Sequence, residues 1–170
     1  MSVSSNELLS KSYLVYAMIR GLNFVIENDI KNQLNHEELT FPGFRNLWIL
    51  YFHPNIRMTE LTYLAQVNIS NIFRQLTKLK EDGLVIMKNG NDARTREVSL
   101  TKEGKKIVQN FIKEHANESR LQVVQTIKKI SDDDLNAFIK VASFLSTELI
   151  GSQFYEFVVR SSNEILETSL

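Results

Sequence analysis

Ser70, Asn71, Arg74, Thr77 and Lys78 follow one another at steps that a helix would gather on one face. On a wheel of about 100° per residue, Ile69, Ile72, Leu76 and Leu79 take the opposite face, with Phe73 and Gln75 on the flanks. The polar face carries hydroxyls, an amide and two cations, but no carboxylate. Arg and Lys donate to guanine acceptors or to phosphates, and Asn and Gln match adenine. The face therefore suits the edge of a nucleic-acid groove, and the alternative is a solvated amphipathic surface. Glu81 and Asp82 come at the far end, where such a helix would be leaving the groove. A second group lies at a turn, Asn91-Asp92-Ala93-Arg94-Thr95-Arg96. A basic tip can enter a minor groove, whose negative potential attracts arginine. Asp92 is expected to tie the loop, because a carboxylate facing phosphates repels them. The alternative is an ordinary exposed turn.

Charge follows the same geography. Between residues 68 and 106 there are nine Lys and Arg against five Asp and Glu, a net of +4, within a chain whose formal net charge is zero. The ends of the chain are correspondingly acidic. Only the contacting face must attract phosphates, so a neutral chain with a basic centre stays compatible with DNA binding.

These groups need a helix, a tight connection and a hairpin to hold them. Thr59 is expected to cap a short helix over 60–66, and Asn68 a second helix ending near Asp82. Gly83 sits just past that end, where a left-handed residue is favoured. Residues 84–88 and 97–100 are short β-runs around the turn-rich Asn89-Gly90-Asn91-Asp92. Ile56-Arg57-Met58 is a short extended piece. Upstream, apolar spacing predicts a long helix over 8–34 and a second over 41–52, with Pro42 in its first turn. Downstream, Thr101 is expected to cap a helix running to about Lys129. Ser131, followed by Asp132, Asp133 and Asp134, starts another that reaches about Ile150. Gly151-Ser152 is expected to kink it before a last helical stretch to about Leu166. The fold class is mainly α with a small β-hairpin wing, a winged helix-turn-helix between long terminal helices.

Other chemistry is poorly supported. There is no cysteine, hence no disulfide and no thiol switch. His36, His53 and His115 are scattered, without the spacing that zinc needs, so no metal or other cofactor is expected. The three aspartates read as a helix start. No glycine-rich phosphate loop, nucleophile elbow or paired-carboxylate arrangement argues for an enzyme. No run of residues approaches the roughly 20 apolar positions of a membrane span. With no basic-then-apolar N-terminal segment, the expected location is the cytoplasm. Asn68-Ile69-Ser70 and Asn117-Glu118-Ser119 match the glycosylation pattern, which carries no meaning there. Eight of the 16 aromatic residues fall between Tyr13 and Phe52. They read either as a helix–helix core or as an aromatic-lined pocket.

Residues 58–105 resemble the MarR family of bacterial transcriptional regulators. The resemblance is carried by Thr59-Glu60-Leu61, by Leu79-Lys80-Glu81-Asp82-Gly83-Leu84-Val85, by Asn91-Asp92-Ala93-Arg94 and by Val98-Ser99-Leu100-Thr101-Lys102-Glu103-Gly104. The broader layout is similar to the Hpr (ScoC) subgroup. The resemblance implies a homodimeric repressor on a palindromic, double-stranded operator, with recognition helix 69–82 and wing 84–100. It implies dimerisation segments at 1–40 and 102–170 around a DNA-binding lobe at 41–101, forming one interlocked unit. Ser70, Asn71, Arg74 and Lys78 then face the groove, Arg94 is the wing arginine and Asp92 orients it; the wheel adds Thr77 and the basic tip adds Arg96. Ala93 departs from the family's frequent second arginine. Phe73 is larger than the small hydroxylated residues common at its position; it is expected to close on the preceding helix or to meet a thymine methyl. A small-molecule effector would lodge between arm and lobe, with Tyr13, Tyr16, Trp48 and Tyr51 as candidate lining. The alternative is a winged protein-interaction module that binds no DNA. Operator sequence, target genes and effector identity do not follow from these residues.

Overall fold

The computed structural model describes residues 4–36, 38–90 and 96–168. Helix α1 spans Ser5–Gln33 and α2 Phe41–Phe52. Strand β1, Ile56–Arg57, leads directly into α3, Met58–Ala65, and then α4, Ile69–Glu81. Strands β2, Val85–Asn89, and β3, Arg96–Leu100, form the wing ribbon. Four helices follow: α5 Lys102–Asn117, α6 Gln122–Ile127, α7 Asp132–Leu149 and α8 Ser152–Thr168. The three strands form one antiparallel sheet in the order β1-β3-β2. Ile56 lies opposite Val98, and Val85 opposite Leu100.

Side-chain caps set most of the boundaries. Thr40, Asn68, Thr101 and Ser131 each accept a backbone N–H from the first turn of α2, α4, α5 and α7, satisfying a donor that the helix itself cannot. Gly83, at φ 72, ends α4 in the left-handed region, and its Leu84 neighbour returns a backbone bond to Leu79. Gly104 starts α5 hard against the wing root, where a Cβ would collide with the Leu84 carbonyl oxygen.

Leu47, Leu50, Leu61, Ile72, Leu76, Val98 and Val108 are fully buried and come from α2, α3, α4, β3 and α5. One continuous apolar cluster thus ties the recognition helix to the sheet and runs on into Phe111 and Ile112 of α5. Across it, Phe44 meets Phe111 and Trp48 stands edge-on to both Phe52 and Phe111.

Three expectations are corrected. Thr59 is not a cap: α3 begins at Met58, and Arg57, at the cap position, makes no side-chain cap bond. Arg57 is still paired with Glu97 in the sheet, so strand passes into helix with no residue between them. The helix expected to run from Thr101 to Lys129 is broken after Asn117. The apolar period continues through Leu121 and Val124, but buried Asp29 of α1 accepts the Gln122 N–H at 2.6 Å and starts α6 afresh. Ser119 accepts the Leu121 N–H in the same turn. Ile69, placed on the inner face of α4 by its spacing, is exposed in the first turn, beyond the edge of the core.

Candidate nucleic-acid interface

Beyond Ile69, helix α4 presents its two faces as the wheel requires. Ile72, Leu76 and Leu79 are buried, while Ser70, Arg74 and Lys78 are exposed and Asn71 and Thr77 half-buried. The outer residues are partly organised before any ligand arrives. Asn68 Oδ1 accepts the Asn71 N–H at 2.9 Å, and Arg74 Nη2 donates to Asn71 Oδ1 at 3.1 Å. Lys78 Nζ reaches the Glu38 carbonyl at 3.5 Å, on the flank that faces the turn before α2. Asn46, wholly buried in α2, donates Nδ2 to Gln75 Oε1 at 2.6 Å. That bond fixes the rotation of α4 about its axis, and with it the direction in which Arg74 and Lys78 project.

The other flank of α4 faces the wing. The guanidinium of Arg96 lies over the Phe73 ring, 5.2 Å from its centroid. Phe73 therefore meets the wing, and not the preceding helix that was one of the two roles expected for it. Asn89 stands opposite Arg96 at the end of the ribbon. Asp92 and Arg94, the two remaining wing candidates, lie outside the described residues.

The four aromatic candidates for an effector site are not gathered by a single chain. Tyr13 and Tyr16 sit on α1 at 67% and 65% exposure. Trp48 and Tyr51 pack against the lobe core through Phe52. Two cavities lie elsewhere. One of about 390 Å³ separates Asn35 and His36 from α5, and one of about 710 Å³ separates α3 from α8.

Sequence reasoning missed the Asn46–Gln75 bond. Its signal was an amide directly before the apolar run Leu47-Trp48-Ile49-Leu50. It also missed that Arg96 and Phe73 meet, since nothing in spacing alone couples a strand to one flank of a helix.

Residues 39–95 match the model of the MarR family. The lobe is a MarR-family domain. No curated protein matches the chain's sequence. Among solved structures, a mutant MarR from E. coli complexed with operator DNA shares 20% identity, with a TM-score of 0.66, over 85% of this chain and 99% of that one. The S. aureus MepR–DNA complex shares 15% identity, with a TM-score of 0.68, over 79% of this chain and 97% of that one. FabT from Streptococcus pneumoniae, in complex with DNA, shares 16% identity, with a TM-score of 0.59, over 84% of this chain and 96% of that one. At these identities the likeness is one of fold: a mainly helical chain whose MarR-family domain carries a small antiparallel wing. Among the described residues no group of three or more His, Asp or Glu side chains is placed to hold a metal, and no helix is long and apolar enough to cross a membrane.

Proposed function

We propose that the chain is a sequence-specific DNA-binding transcriptional regulator, a homodimeric repressor acting on a palindromic operator. The observation that carries this reading is the outer face of α4. Ser70, Asn71, Arg74, Thr77 and Lys78 point away from a closed core, no carboxylate interrupts them, and the Asn46–Gln75 bond holds the helix that bears them. The fold likeness to proteins solved with DNA supports the same reading. In it, α4 enters the major groove, while the wing, with Arg96 and the Arg94 tip, serves the adjacent minor groove.

Dimerisation belongs to this proposal. On α1, Leu9, Tyr13, Met18, Leu22 and Phe24 are exposed; on α7, Phe138, Ile139, Val141 and Phe144 are exposed as well. Monomeric proteins rarely expose apolar surface on this scale, so the exposed faces of α1 and α7, within segments 1–40 and 102–170, are assigned to a shared interface that spaces two copies of the lobe. Two recognition helices about 34–36 Å apart would then read half-sites one turn of duplex apart.

Fluorescence anisotropy of the full chain on duplexes selected from genomic fragments tests the reading. Tight binding is expected, with the logarithm of affinity falling linearly as the logarithm of salt rises. Arg74→Ala should cost about 1–3 kcal/mol and relax discrimination at one position of each half-site. A chain that shows no salt-sensitive binding to any duplex is a protein-interaction module, and the proposal fails.

A further inference from the structure

Phe73 is 44% exposed on the wing-side flank of α4, and its ring carries the Arg96 guanidinium. The two residues border a cleft of about 350 Å³ between α4 and the ribbon. Thr77 and Lys80 continue its helix side, one and two turns below Phe73, and Asn89 continues its strand side. No carboxylate lines it among the described residues. Lys88 also borders the cleft, but it stands opposite Glu97 in register. Alternation along the strand puts that pair on the face of the ribbon away from Phe73, so its charge is set apart from the cleft.

The shape of duplex DNA gives this cleft an occupant. A helix in the major groove and a ribbon in the neighbouring minor groove must straddle the phosphodiester strand that separates the two grooves. A guanidinium stacked on an aromatic ring keeps its N–H groups in plane and free at the edge. Those donors form the fork that pairs bidentately with a phosphate. We infer that Phe73 is a platform that presents Arg96 to a backbone phosphate of the strand passing between α4 and the wing, with Lys80 and the Asn89 amide completing the saddle. The inference rests on the DNA-binding reading and deepens it: Arg96 positions the duplex without reading bases, and Phe73 acts through Arg96.

The test uses the full chain on one selected operator duplex, with Arg96→Ala, Arg96→Lys, Phe73→Leu and the Phe73→Leu/Arg96→Ala double variant. Both side chains are exposed, so each variant should keep the wild-type melting temperature. Arg96→Ala is expected to flatten the log–log salt slope by about 0.9 for each phosphate that is no longer neutralised. Arg96→Lys should keep the slope while binding more weakly. Phe73→Leu should weaken binding about two- to fivefold, the scale of an exposed cation–π contact. It should leave the ranking of single-base operator variants unchanged and add nothing in the Arg96→Ala background. An unchanged slope in Arg96→Ala, a new base ranking in Phe73→Leu, or effects that multiply in the double variant would each overturn the inference while leaving DNA binding intact. A wild-type chain that binds no duplex overturns both.

Discussion

In α4 the apolar residues that recur at helical spacing, Ile72, Leu76 and Leu79, are buried to 3% exposure or less. In α1 the residues that recur in the same way, Leu14, Met18, Leu22 and Val25, are 49% to 62% exposed. The two patterns look alike on paper, and both mark a face that must leave water. In the lobe that face meets its own chain: α2, α3, α4, the sheet and α5 share one core. On α1, among the described residues, that face stays exposed over most of its length. The lobe is therefore complete within one chain, whereas in the proposed dimer each arm would supply half of an interface. The difference implies two kinds of stability, one independent of protein concentration and one that follows it by mass action.

The sharpest way to break this contrast is on α7. Phe144→Asp puts a charge at a position that is 65% exposed in the single chain, where it should cost the lobe nothing. If α7 lies in the dimer interface, the substitution buries an unpaired carboxylate there. Sedimentation should show a monomer, and operator affinity should fall about 10²–10⁴-fold as binding ceases to be bivalent. A variant that stays dimeric with unchanged affinity would remove α7 from the interface.

The second prediction applies to the closed region. Gln75→Ala strands the Asn46 amide in the core, where Oδ1 already has no partner. An unsatisfied buried group costs about 1–3 kcal/mol, so urea unfolding should shift by that amount, and equally at high and low protein concentration. Adding Asn46→Leu removes the stranded polar group and should restore most of the stability. If the double variant is no more stable than Gln75→Ala, the bond is not what makes Asn46 tolerable.

The same contrast explains what was legible in the sequence. The bounds of α2, the Asn68 cap of α4 and the paired strands of the wing follow from local chemistry: a proline in a first turn, a side chain reaching a nearby N–H, alternation around a turn. The outward set on α4 was equally legible, because a helix with one buried face leaves the other defined. What escaped depends on residues distant in sequence. The break before α6 is set by Asp29, 93 positions earlier. Strand pairing of Arg57 with β3 moves the start of α3. The Arg96–Phe73 contact joins two elements across the hinge at Gly83. Whether apolar spacing meets its own chain or another copy is the largest such question, and periodicity carries no information on it.

The smallest expected effect lies at the boundary between the two regions. His115, near the end of α5, packs against Phe111, and its Nδ1 faces Ser119 Oγ at 3.2 Å while Nε2 has no partner. Burial lowers its pKa below the ordinary 6.5; Glu114 and Asp29 oppose that shift and Arg120 reinforces it. Just below 6.5 the unfolded chain therefore binds more protons at this site than the folded chain. Stability should rise with pH across that window and be lost as pH falls towards the lowered folded value. In thermal melts on either side of the window, the wild type should lose more stability on acidification than His115→Gln. Equal decreases would mean that His115 titrates alike in the folded and unfolded chains. The effect should also be independent of protein concentration, since Phe111 belongs to the lobe core; a concentration dependence would place His115 on the arm side of the boundary.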